Sequence, residues 1–127
     1  MKYINDFKGW RSEEIVKVFL LSLNIFDLSE SYTYKDKGVD LIARCKKDID
    51  FKFGVEIKAT KYSRSIILSK YKRKDYDVSL PIIQFFINYD KETGYFRILN
   101  QENESTLERM TKKNFKEAMK NYAQQCI

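Results

Sequence analysis

The order of periodicities along the chain predicts an α/β domain with a mixed central β-sheet flanked by helices. A helical pattern comes first, three or four strand-like stretches follow, a short basic segment intervenes, and two more strands lead into a last helix. Residues 82–89, Ile-Ile-Gln-Phe-Phe-Ile-Asn-Tyr, form a near-continuous apolar run of strand length, which suits a central strand covered on both faces. With 127 residues and 43% hydrophobic content, the chain is read as one folded domain, 1–127, with a core of its own.

From Ser12 to about Asn24 the apolar residues Ile15, Val16, Val18, Phe19, Leu20, Leu21 and Leu23 are dense enough for a helix buried on most of its surface. Ser12 is its expected N-cap, Glu13 and Glu14 suit the dipole of the first turn, and Trp10 is placed to staple the start. Asn24 is expected to leave the helix in the left-handed conformation usually given to glycine. Ser31 to Lys35 alternates aromatic and polar residues and predicts the first strand, turning through Asp36-Lys37-Gly38 into the next. Pro81 precedes the apolar run, Asp90 to Gly94 is a turn, and Tyr95 to Leu99 returns antiparallel. Leu107, Met110, Phe115, Ala118, Met119 and Tyr122 then recur at helical spacing. Thr111 is a candidate cap, and Lys112, Lys113, Lys116 and Lys120 fall on the exposed side.

The chemistry concentrates in Gly38-Val39-Asp40-Leu41-Ile42-Ala43 and Val55-Glu56-Ile57-Lys58-Ala59-Thr60. In the second stretch the period of two puts Glu56 and Lys58 on one face and the apolar residues on the other. Residues 44–54 are long enough for a hairpin connection, which lays two strands about 4.8 Å apart and brings Asp40 beside Glu56. Acid oxygens so placed suit a hard divalent cation, and a lysine beside them can orient or deprotonate an attacking water. Acid-x-Lys alone is weak evidence, since Asp6-Phe7-Lys8 and Asp50-Phe51-Lys52 fit it too. The apolar, β-branched flanks and the upstream Gly-x-Asp single out Glu56-Ile57-Lys58; the plainer alternative is a solvated charged face on an edge strand.

Over residues 10 to about 99 this pattern resembles the PD-(D/E)xK nuclease superfamily, with its restriction-endonuclease-like fold, and within it the small Holliday-junction-resolvase-like and related endonuclease-like domains. Val39 stands where the proline that names the motif would be. The resemblance implies a Mg²⁺-dependent endonuclease, Mn²⁺ substituting, with Asp40 and Glu56 as metal ligands and Lys58 at the water. It also implies a glutamate near the start of the first helix that reaches the metal; counting back from Asn24, the matching position is Glu13. The helix pattern alone does not choose, because Glu13 shares a face with Val16, Leu20 and Leu23, and Glu14 lies over Val18 and Leu21.

Lys and Arg number 24 against 18 acids, a formal charge of +6 that favours a polyanionic partner, here nucleic acid and by expectation DNA. The segment after Lys58 interleaves bases with tyrosines, so Lys61, Arg64, Lys70, Lys72, Arg73 and Lys74 are the candidate nucleic-acid-binding residues. No separate recognition domain is visible, which points to structure-dependent or weakly sequence-dependent cleavage, or to targeting by a partner protein or a second copy in a homodimer. No apolar run approaches the ~18 residues of a membrane span, and residues 1–6 lack a signal-peptide core, so a cytoplasmic protein without membrane contact is expected. Cys45 and Cys126 have no metal-ligand spacing and read as reduced packing thiols. The chain has no histidine, which excludes a Ser-His-Asp triad, a Cys-His pair and a His-based zinc site.

Overall fold

Alternating apolar positions on successive strands give the sheet two different faces, and the helices sort between them. A computed structural model of the protein describes residues 2–31, 34, 37–71, 79–100 and 103–127. Among these the elements are α1 (Lys2–Ser22), β1 (Phe26–Glu30), β2 (Leu41–Cys45), β3 (Lys52–Ala59), α2 (Arg64–Lys70), β4 (Ile82–Asn88), β5 (Thr93–Asn100), β6 (Asn103–Glu104), β7 (Glu108–Arg109) and α3 (Lys112–Tyr122). A 3-10 turn, Gln124–Cys126, follows. The described strands form one open sheet in the order β1-β2-β3-β4-β5-β6, with β7 also pairing β5. Only β3 and β4, joined through α2, run parallel; every other pairing among the described strands is antiparallel. The expected α/β architecture with a mixed sheet is present.

One face carries Phe53, Val55, Ile83, Phe85, Ile87, Phe96 and Ile98 and is covered by Ile15, Val16 and Leu20 of α1, by Leu23 just after it, and by Phe115, Ala118 and Met119 of α3. Phe115 is its hub, with Phe19, Phe26, Phe85 and Phe96 all packed around it. The other face is smaller. Ile67 of α2 packs there on Phe86 and Leu107, and Val39, Ile42, Ile82 and Leu99 form a second group. β4 is buried along almost its whole length, as a central strand covered on both faces must be.

Several expectations are corrected. α1 begins at Lys2, so Ser12 is a buried mid-helix residue instead of an N-cap, and Trp10 lies exposed within the helix against Phe7 instead of stapling its start. Nor is α1 buried on most of its surface, because Val18 and Leu21 are 66% and 56% exposed. The first described strand is Phe26–Glu30, with Phe26 in the core against Phe53 and Phe115; of the strand expected at 31–35, residues 32, 33 and 35 lie outside the described residues. Leu107 and Met110 precede α3, in a segment that adds two short strands to β5. Asn24 does take the left-handed conformation, with φ of 57°. Thr111 caps α3, its side chain accepting from the Asn114 N–H at 3.1 Å.

The two cysteines are also corrected. Cys45 ends β2 and Cys126 ends the 3-10 turn; both are fully buried, their Cα atoms are 5.2 Å apart, and they form a disulfide. A separation of 81 residues hid this pairing, because only the docking of α3 on the sheet brings the chain's end to β2.

Candidate active site at the start of β2

The β2–β3 hairpin fixes the site. Its register pairs Leu41 with Val55 and Ile42 with Gly54, and the same ladder carried one residue further sets Asp40 across from Glu56. Residues directly opposite in an antiparallel pair share a face. Val39 packs tightly over Gly54 just before Asp40: a Cβ on Gly54 would lie 3.1 Å from Val39 Cγ1 and 2.7 Å from Ile82 Cδ1. Glycine therefore sets how closely the Asp40 backbone approaches β3.

Asp40 lies at the point where the ladder stops. Its N–H still donates to the Val55 carbonyl at 2.7 Å, and its Oδ2 then accepts from the Ile57 N–H at 2.8 Å. The carboxylate thus takes the place that a β2 carbonyl would have filled, a structural role it has whatever its chemistry. Burial pushes its pKa above the ordinary 3.8; the Ile57 hydrogen bond opposes this, the charges of Glu56 and Glu13 add to it, and Lys58 lowers it. The charges of Glu56, Lys58 and Glu13, the other three sequence-predicted site residues, therefore all reach Asp40.

Their settings differ. Glu56 is 3% exposed, and its Oε1 accepts from Gln84 Nε2 at 2.9 Å. Lys58, two residues on along the same strand face, is exposed. Glu13 lies on the α1 face that carries the buried Val16 and Leu20, and the Glu14 face carries the exposed Val18 and Leu21. Glu13 and Glu14 both approach Lys17 Nζ, at 3.6 and 3.8 Å, as does Glu30 at 3.8 Å. The Glu13 charge, and not that of Glu14, acts on Asp40.

No protein-family model, no curated protein and no solved structure matches this chain. The site is read from its own chemistry.

Among the described residues no group of three or more acids or cysteines stands close enough to form a ready ion cage. Two acids set opposite one another by the strand register nevertheless fit a hard cation such as Mg²⁺, which is commonly held by one or two carboxylates and keeps several waters. Asp40 in particular is held among like charges where a cation would favour its ionised form.

The candidate nucleic-acid residues sit beyond the end of β3. Lys61 pairs with Asp90 at 2.5 Å and lies over the Tyr89 ring; Lys70 donates to the Tyr62 hydroxyl at 2.7 Å. Each of these hydrogen bonds raises the pKa of its lysine. Arg64 Nε donates to the Leu107 carbonyl at 2.9 Å, tying α2 to the segment before β7. Lys72, Arg73, Lys74 and Asp36 lie outside the described residues. Sequence reasoning passed over Gln84 and Arg97, both buried; their signal was a polar residue inside each of two apolar strand runs.

Proposed function

We propose that this protein is a metal-dependent nuclease of restriction-endonuclease-like type, hydrolysing phosphodiester bonds in nucleic acid, DNA before RNA. The observation that carries the reading is the register that sets Asp40 across from Glu56, with Lys58 on the Glu56 side of the same strand. Asp40 and Glu56 would hold Mg²⁺ or Mn²⁺, with the Glu13 charge adding to the negative field at Asp40. The bound ion would supply charge neutralisation at the phosphate and acidify a water. The Lys58 ammonium, exposed on the Glu56 side of β3, would orient an attacking water or donate to a phosphate oxygen as charge develops there. The basic residues past β3 neutralise flanking phosphates. Among the described residues no helix is long and apolar enough to cross a membrane. A cytoplasmic setting is part of this proposal.

A second reading, a nucleic-acid-binding or assembly module without turnover, is favoured by the burial of Glu56 and the engagement of its Oε1 by Gln84. One experiment separates the two. Labelled linear, branched and single-stranded substrates are incubated with Mg²⁺, Mn²⁺ or EDTA. We expect cleavage that EDTA stops, and a Lys58→Ala variant that binds nucleic acid nearly as well as wild type yet turns over at least about 100-fold more slowly. Binding without cleavage of any substrate would favour the second reading.

A further inference from the structure

A line of buried polar side chains runs from the acid pair into the body of the sheet. The strand registers set Glu56 across from Gln84 and Gln84 across from Arg97, so one row crosses β3, β4 and β5. The three residues are 3%, 4% and 5% exposed. Polar groups so deep are costly unless they are partnered. A guanidinium can only donate, so Gln84 Oε1 must face Arg97, whose Nε reaches it at 2.6 Å. The amide nitrogen of Gln84 is thereby turned toward Glu56, to which it donates. Turned the other way, the amide would set N–H groups against N–H groups and its oxygen against a carboxylate. Arg97 is itself fixed at its far end, where Nη2 donates to the Tyr71 carbonyl at 2.6 Å and the guanidinium lies over the Phe86 ring at 5.6 Å.

We propose that Gln84 and Arg97 are positioning residues that set the orientation of the Glu56 carboxylate for cation binding, an inference that rests on the metal-site reading above. Arg97 fixes the amide, and the amide fixes the acid. A purely structural trio would contribute to stability alone. Positioning also requires that disturbing either residue lower the affinity for the cation, because partners of a metal-ligating group orient it.

The test is Mn²⁺ binding by electron paramagnetic resonance titration of the full chain, with thermal melting alongside, for wild type, Glu56→Gln, Gln84→Met, Arg97→Met and Arg97→Lys. Glu56→Gln comes first: wild-type Mn²⁺ affinity in that variant overturns the metal-site reading itself, and this inference with it. Given a weakened Glu56→Gln, folded Gln84→Met and Arg97→Met should bind Mn²⁺ about 10- to 100-fold more weakly than wild type. Arg97→Lys, which still carries a donor, should recover part of that affinity. Wild-type affinity in the folded Met variants overturns the positioning role alone. If those variants do not fold, the side-chain ¹⁵N resonance of Gln84 in the wild-type protein decides. A shift that saturates with added Mg²⁺ supports the inference, and a resonance that stays in place overturns it.

Discussion

Asp40 is held where an ionised carboxylate is at a disadvantage. Burial and the acids around it raise its pKa, so the folded protein binds this proton more tightly than the unfolded chain does. The destabilisation that comes with Asp40 ionisation is absent below the unfolded value near 3.8 and complete above the raised folded value. Asp40→Asn keeps an oxygen for the Ile57 N–H and removes the charge. At pH 7 it should melt no lower than wild type, with a gain below about 1 kcal/mol once solvent screening at a half-buried group is allowed for. Melting curves across pH check this: the gain should vanish in acid, and 10 mM-scale Mg²⁺, on the order of ordinary assay concentrations, should stabilise wild type and not the variant. The placement of Asp40 across from Glu56, with Lys58 on the Glu56 face, was legible in the sequence because a period of two and a hairpin-length connection suffice to set it. That Glu13 and not Glu14 shares the buried face of α1 could be read only once the packing of that helix was known. Gln84 and Arg97 could not be paired with Glu56 until the β3–β4–β5 register was known, since that register depends on a parallel connection through α2.

Among the elements, β4, the β4–β5 hairpin and α3 were readable because each meets one simple demand: burial on both faces, a tight turn, or a single apolar stripe. α1 and β1 were not. The first half of α1 contains Gly9 and a scatter of polar residues without the dense apolar pattern of its second half, so its start lies ten residues before the position that Ser12 suggests. β1 is short, and what anchors it is Phe26 packing against Phe53 and Phe115. The segment after β3 carries the prediction at this scale. α2 has Lys70 in its last turn, and Lys72, Arg73 and Lys74 continue the charge along the sequence. Replacing these four with alanine should weaken nucleic-acid binding and flatten its logarithmic salt dependence by about 0.9 for each duplex-DNA phosphate that is no longer neutralised. Affinities at several salt concentrations measure it. An unchanged slope would move the binding surface to the exposed lysines of α3.

Across the whole molecule, the two long helices pack on one face of the sheet and Glu56 and Lys58 of β3 occupy the other, with Glu13 carried on the helix side. The Cys45–Cys126 bond holds the end of the chain to β2 across 81 residues of sequence. Reducing it, or replacing Cys126 with serine, should lower the stability to urea by about 2–4 kcal/mol, since the unfolded chain regains the freedom that a long closed loop denies it. Urea titrations with and without reductant give the difference. The same bond makes everything from the end of β2 to the end of the chain, with β3, β4, β5 and α3 included, a closed covalent ring. A protease that cuts the backbone once inside the ring opens it without dividing the molecule. The nicked protein should therefore run as one species on a denaturing gel until reductant is added, then separate into two pieces, whereas a cut before Cys45 releases α1 and β1 from the ring at once.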